Sequence, residues 1–252
     1  MNKHEYSNDF FDYINDGARA SARELISVIG PWVDPIRVLD LGCGRGIWLD
    51  EWLKAGAKEI LGVDGSYIDR SQLAIPTESF RAADLTELHD FGCKFDLAQS
   101  LEVGEHLPET ASSTLVKSLT HHSNRVLFSA AVPGQGGENH INEKPLQFWR
   151  SLFFAEGFRA YDCVRPVLNG NSKVEPWYRY NTLLYANEAG ARGLPNQVIN
   201  TQVPEGENLR EIGSLPWRMR RVIVSAMPLN LATWIARKNA ARIARIARKK
   251  TT

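Results

Sequence analysis

Three glycines at alternate positions, Gly42, Gly44 and Gly46, follow the apolar run Val38-Leu-Asp-Leu41 and precede a helical stretch. Such a loop turns sharply and lets a ligand approach the backbone at a helix N-terminus. The spacing is G-x-G-x-G, because Ile47 stands where a dinucleotide fingerprint would place its last glycine. Asp40, two residues ahead of the first glycine, would repel a pyrophosphate and attract a cation. A ligand carrying a sulfonium and an ammonium suits that charge. Asp64 closes the run Ile60-Leu-Gly-Val-Asp64, where a carboxylate can accept from both hydroxyls of a ribose. Asp84, in Arg81-Ala-Ala-Asp-Leu85, is placed to accept from an adenine amino group. Each carboxylate alone reads as a strand-end cap. The three together with the glycines predict a cofactor site.

A second group of reactive side chains lies further along. Glu102, Glu105 and His106 follow one apolar run, and the glycine-rich stretch 133–143 carries His140, Asn142 and Glu143. A histidine titrates near neutrality and suits a general base. His140 is the first candidate and His106 the second, while Glu102 contacts the cofactor or orients a neighbour. The spacing of Glu102, Glu105, His106 and His140 matches no metal-ligand pattern, so no metal is expected. Asn142, Glu143, Trp177, Tyr178 and Arg179 are candidate acceptor contacts. Phe148, Trp149 and Tyr180 lie beside them, and all these aromatics also suit plain packing.

The elements that must position these groups alternate. Apolar positions at helical spacing predict a helix over 8–29, stopped by Gly30 and Pro31, and further helices over 47–55, 109–119 and 145–156. Strand-like runs occupy 36–40, 59–63, 96–101, 125–130, 159–165 and 182–186, with a third strand position before Asp84. Alternating β and α segments predict an α/β fold with a mostly parallel sheet covered by helices on both faces. The polar stretch 191–213 reads as a linker, which bounds a catalytic domain at 1–190 and an extension at 214–252.

The chain resembles class I S-adenosylmethionine-dependent methyltransferases. Asp40-Leu-Gly-Cys-Gly-Arg-Gly46 looks like their first motif, Gly62-Val-Asp-Gly65 the second, Ala82-Ala-Asp-Leu85 the third, and Phe95-Asp-Leu-Ala-Gln-Ser-Leu-Glu102 the fourth. The resemblance spans residues 5–188. It implies a Rossmann-like, seven-stranded sheet with its last strand antiparallel. It also implies S-adenosyl-L-methionine as cofactor, contacted by Asp40, Gly42, Gly44, Gly46, Asp64, Asp84, Leu85, Ser100 and Leu101. Family members that methylate amide or base nitrogens carry an Asn/Asp-Pro-Pro-aromatic run at the fourth motif. Ser100-Leu-Glu-Val103 replaces it here and favours an oxygen acceptor.

A narrower likeness is carried by Ser100-Leu-Glu-Val-Gly-Glu-His106, Phe128–Gly137, His140-Ile-Asn-Glu143 and Trp177-Tyr-Arg-Tyr-Asn181. These look like a bacterial subfamily whose members accompany surface-glycan genes. Gly104 and Tyr180 depart from its pattern, which has Ala and Gln there.

An apolar share of 43% and a charged share of 23% fit an ordinary globular protein. Three irregularly spaced cysteines predict a reducing, cytoplasmic setting, and the polar N-terminus does not read as a signal peptide. The net charge of +1 hides an asymmetry. No acidic residue follows Glu211, whereas ten basic ones lie between Arg218 and Lys250, leaving −9 on residues 1–211. On a helical wheel Ala232, Ile235, Ala236, Ala240, Ile243, Ile246 and Ala247 face one way. Arg237, Lys238, Arg242, Arg245, Arg248 and Lys249 face the other. This basic amphipathic extension suits an anionic membrane surface at the inner face, a protein partner such as a glycosyltransferase, or, less well, nucleic acid. The expected activity is methylation of a sugar hydroxyl in a bacterial surface polysaccharide or its lipid-linked precursor. The alternatives are a small-metabolite methyltransferase, an RNA methyltransferase using the tail, and a silent binding protein.

Overall fold

The computed structural model describes residues 8–210 and 212–250, with the side chains of 17–210, 212–239 and 241–242. The expected apolar positions Phe10 and Ile14, and the tail side chains of Ala240, Ile243, Arg245, Ile246, Ala247, Arg248 and Lys249, lie outside the described residues. So do residues 1–7 and 251–252.

Strands β1 (Arg37–Leu41), β2 (Glu59–Asp64), β3 (Phe80–Ala82), β4 (Leu97–Leu101), β5 (Arg125–Ser129), β6 (Arg159–Tyr161) and β7 (Leu183–Ala186) form one seven-stranded sheet in the order β3-β2-β1-β4-β5-β7-β6. All pairings are parallel except those of β7, which runs antiparallel to both β5 and β6. The central strands β1 and β4 are buried along nearly their whole length because both faces are covered, and their buried polar side chains, Asp40, Gln99 and Ser100, are hydrogen-bonded internally. Side chains alternate across β1, so Val38 joins one core while Leu39 and Leu41 join the other.

The first core is closed by α1 (Asn8–Val33) and α2 (Ile47–Lys54), which contribute Ala22, Leu25, Ile29, Trp48 and Trp52. Arg19 and Arg23 of α1 clamp the buried Glu51 of α2 at 2.5 and 2.8 Å. The second core is closed by α3 (Ser112–His122) and α4 (Leu146–Ala155) through Leu115, Leu119, Trp149 and Phe153.

The structure corrects two boundaries. Helix α1 runs through Gly30 and Pro31 to Val33. Proline forfeits one backbone bond in the last turn, and burial of Val33 in the core offsets it. The sixth strand ends at Tyr161, and Arg165, expected at its end, opens the short helix α5 (Arg165–Leu168). Arg165 is fully buried there, held by Asp162 at 2.7 and 2.8 Å.

The stretch 191–213, expected as a linker, packs on the body. After α6 (Pro176–Asn181), β7 and the one-turn helix α7 (Glu188–Ala191), Leu194 and Val198, the latter on the one-turn helix α8 (Asn196–Ile199), enter the first core. The extension is two helices, α9 (Leu215–Ser225) and α10 (Leu229–Lys250), and α10 lies against α1.

Candidate functional site

Parallel sheets bind ligands beyond the carboxyl ends of their strands, where the strand order reverses. Here that point lies between β1 and β4, and a cleft of about 720 Å³ opens there. Its lining includes Asp40, Gly42, Gly44, Asp64, Asp84 and Leu85 on one side, with Leu101, Glu102, Glu105, His106 and His140 on the other.

The glycine loop is shaped as its sequence requires. Gly42, Gly44 and Gly46 take φ values of +88°, +54° and +80°, which other residues resist. A Cβ on Gly42 would come 2.3 Å from Val103, so both space and backbone demand glycine. Gly46 then caps α2, whose N-terminus faces the cleft region.

Asp40 sits at the end of β1, buried, and accepts from Gln99 Nε2 at 2.9 Å. Burial pushes its carboxyl up to about 7, against the Gln99 hydrogen bond, with the neighbouring Asp64 adding to the rise. Asp64 accepts from the Gly44 amide at 2.7 Å, the Gly65 amide at 2.6 Å and the Tyr67 hydroxyl at 2.5 Å. Burial still raises it, in spite of those three donors. Asp84 plays its capping part through Oδ1, which takes the Thr86 amide and hydroxyl, and it also lines the cleft. Three carboxylates along one wall, over a loop whose Gly42 and Gly46 leave no room for a Cβ, fit a ligand that is cationic and rich in donors. S-adenosylmethionine meets that test.

The opposite wall begins with Glu102, a non-glycine residue at φ +58° directly after β4. Gln135 Nε2 donates to it at 2.6 Å, and Asn181 Nδ2 donates to Gln135 Oε1 at 2.8 Å. Burial raises the Glu102 carboxyl. Glu105 beside it is fully buried, with no hydrogen-bond donor on either carboxylate oxygen. Burial, reinforced by the charge of Glu102, pushes it well above the usual range. His140 Nδ1 lies 2.9 Å from Glu143 Oε1, and the His106 and His140 rings meet edge to face at 4.9 Å. One ligand atom from each of Glu105, His106 and His140 falls within 4.8 Å of the others. The sequence spacing hid this cluster, because His140 arrives on a loop folded back onto the turn after β4.

Several expected contacts do other work. Ser100 is spent inside the sheet, donating to the Leu41 carbonyl at 2.7 Å, and does not reach the cleft. Asn142 is buried and donates to the Gly104 carbonyl and Ser112 hydroxyl at 3.1 and 3.0 Å. Glu143 holds the Gly134 and Gly136 amides at 2.8 and 2.6 Å as well as His140. Burial would raise the Glu143 carboxyl, but His140 and the two amides hold it below its ordinary value. Both residues therefore shape the 133–143 loop rather than face an acceptor. Arg179 donates to the Asn171 carbonyl at 3.0 Å, away from the cleft. Trp177 and Tyr178 do line the cleft, whereas Trp149 is buried against Phe128 at 4.9 Å.

Sequence reasoning missed Tyr67 and Gln135, which hold Asp64 and Glu102, and it missed the residues of the extension. Arg220, Ala236 and Asn239 line the cleft. Arg220 donates to the Gln135 carbonyl at 2.5 Å, Arg221 to that of Pro133 at 3.0 Å, and Arg237 Nε to the buried Glu138 at 2.9 Å. Arg237 thus ties the extension to the body while its side chain stays about half exposed. Tyr180, one of the two departures, receives the Ser214 amide on its hydroxyl at 3.4 Å and packs on Trp217 at 5.8 Å. The departure anchors the first turn of α9.

A family described as methyltransferase domain matches residues 14–162. No curated protein matches the chain. Among solved structures, DesVI from Streptomyces venezuelae superposes with a TM-score of 0.53 at 15% identity, covering 73% of this chain and 99% of that one. The sugar N-methyltransferase KedS8 from Streptoalloteichus sp. ATCC 53650 gives 0.51 at 14%, with coverage of 74% and 95%. The methyltransferase domain of bacterial CtHen1-C gives 0.50 at 19%, with coverage of 68% and 98%. At these identities the likeness is one of fold.

Proposed function

This chain belongs to the methyltransferase domain family, and on that premise we propose that it methylates a sugar hydroxyl of a bacterial surface polysaccharide or its lipid-linked precursor. It is an S-adenosylmethionine-dependent methyltransferase. Gly42, Gly44, Asp40, Asp64, Asp84, Leu85 and Leu101 would hold the cofactor, which supplies a methyl group on a positively charged sulfur when bound. An acceptor oxygen taking that methyl, with the carbon–sulfur bond cleaved and the thioether released, would have to give up its hydroxyl proton to a group in the cleft wall.

The observation that carries the hydroxyl reading is the His140–Glu143 pair at 2.9 Å in the wall of the same cleft. Glu143 fixes the imidazole through Nδ1, which suits Nε2 to receive the acceptor proton. Glu102, steadied by Gln135, stands behind it, and His106 packs on its ring. Trp177 offers a ring of the kind that stacks on sugars, while Tyr178 is buried and backs it, meeting Trp48 edge to face at 5.0 Å. The glycan itself is supported by the subfamily resemblance of residues 100–106 and 128–143.

We also assign the exposed side of the extension to an anionic membrane surface, which suits a lipid-linked acceptor. Leu215, Met219, Val222, Ile223, Leu231 and Trp234 are exposed on α9 and α10, and exposed Lys238 and Arg242 accompany them. No described helix is long and apolar enough to cross a membrane.

The test is transfer of labelled methyl from S-adenosylmethionine into purified lipid-linked oligosaccharide. Label in an alkali-stable sugar ether supports the reading. Label only in free small metabolites or in RNA replaces it.

A further inference from the structure

The wall opposite the cofactor loop holds an arrangement that hydrogen bonding alone does not account for. Glu105 is fully buried, yet neither carboxylate oxygen makes a hydrogen bond of ordinary geometry, the Glu102 carboxyl and the Ala131 main chain being close by. An unpaired buried carboxylate is costly, and such groups are ordinarily paired or bound to metal. Its main-chain carbonyl accepts from the Ile141 and Asn142 amides at 2.9 and 3.0 Å, so the backbone that carries it is tied down. His106 and His140 bring ring nitrogens to the same point, all three ligand atoms lying within 4.8 Å of one another. Glu143 fixes His140 through Nδ1, the outer contact by which a ligating imidazole is commonly oriented.

We propose that Glu105, His106 and His140 bind one divalent transition-metal ion, of the zinc or manganese class, with Glu102 beside them and an open position facing the cleft. Two imidazoles and a carboxylate suit such ions better than magnesium or calcium, which favour all-oxygen sets. The second cluster of potential ligands, Asp90, His121 and His122, is the weaker site. Asp90 is 72% exposed. His122 already spends Nδ1 on the Ser118 carbonyl at 2.6 Å and Nε2 on the Phe91 amide at 3.0 Å.

The proposal rests on the reading of this cleft as the acceptor site and recasts one role within it. With the ion bound, an acceptor hydroxyl on the open position loses its proton to solvent more readily. His140 is then a ligand rather than the proton acceptor.

Calorimetric titration of Mn²⁺ and, separately, Zn²⁺ into chelator-treated full-length protein tests it. One equivalent should bind, and Glu105→Gln should weaken that binding at least tenfold, with circular dichroism confirming that the variant is folded. His121→Ala should leave it unchanged. The ion should also raise the melting temperature of the wild type and not that of Glu105→Gln, a readout independent of calorimetry. Absence of binding overturns the proposal. So does binding that survives Glu105→Gln and disappears in His121→Ala. S-adenosylmethionine titrated into the same preparations tests the methyltransferase reading separately, so one can fail while the other stands.

Discussion

Arg220 donates to the main-chain carbonyl of Gln135 across 2.5 Å, joining the C-terminal extension to the loop whose Gln135 side chain steadies Glu102. The extension is therefore part of the wall of the cleft, and the loop 133–143 is held from both sides. Replacing Arg220 with Ala should leave the cofactor bound with little change and lower kcat/KM for the acceptor by roughly tenfold, the scale of one charge-assisted hydrogen bond. Steady-state kinetics with both substrates varied checks this. An equal loss in cofactor affinity would place Arg220 elsewhere in the mechanism.

Gly104 backs onto Trp149, and a Cβ there would come 2.5 Å from the indole ring. The ring is 1% exposed and packed against Phe128, so it has nowhere to retreat. Gly104→Ala, although it restores the residue expected from the resemblance, should destabilise the protein by about 1–3 kcal/mol. Thermal or urea unfolding measures it. A neutral substitution would mean that Trp149 repacks.

Asp40 makes cofactor binding depend on pH. Its carboxyl is pushed up to about 7, so it is largely protonated below neutrality in the free protein. A cationic ligand favours the ionised form, and binding must therefore expel the proton. Affinity should rise as pH increases from 5.5 to 7, by at most about tenfold per unit, and level off above 7. For the free protein the sign is opposite. Ionising a buried carboxylate costs stability, so stability should fall as pH rises towards and through 7. Asp40→Asn should abolish both dependences, and calorimetry in buffers of different ionisation enthalpy reads the released proton directly.

The exposed side of α9 and α10 predicts association with lipid. Full-length protein should float with vesicles containing anionic lipid and remain behind with neutral vesicles. Replacing Val222 and Trp234, which are 71% and 57% exposed, with Ser should reduce flotation several-fold while leaving the fold intact. Flotation unchanged by these substitutions would remove the membrane reading.

The cofactor half of the cleft was legible because its constraints are local. Gly42 and Gly46 need positive φ, and Asp40 and Asp64 stand at strand ends whose apolar runs are unmistakable. The acceptor half was less so. Asn142 and Glu143 have the right types in the right loop, but nearby amides and carbonyls claim them, and sequence offers no record of that competition. Ser100 lies in a strand whose two faces are both buried, so its hydroxyl turned to the Leu41 carbonyl. Arg220 and Arg237 read as surface charges because their partners, Gln135 and Glu138, lie some hundred residues away in the chain. The one signal that pointed to the extension was Tyr180, whose departure from the family pattern marks the place where α9 is anchored. Pro31 misled for a different reason: at the last turn of a long helix it costs a single bond.

The central claim is that the cleft beyond the carboxyl ends of β1, β2 and β4 binds S-adenosylmethionine through Asp64. Calorimetric titration of S-adenosylmethionine and S-adenosylhomocysteine into wild type and Asp64→Ala tests it most directly. Binding near micromolar in the wild type, weakened by roughly a hundredfold or more in the variant, is the predicted result, since two charge-assisted hydrogen bonds are lost. No binding to the folded wild type, or equal binding to the variant, would contradict the account.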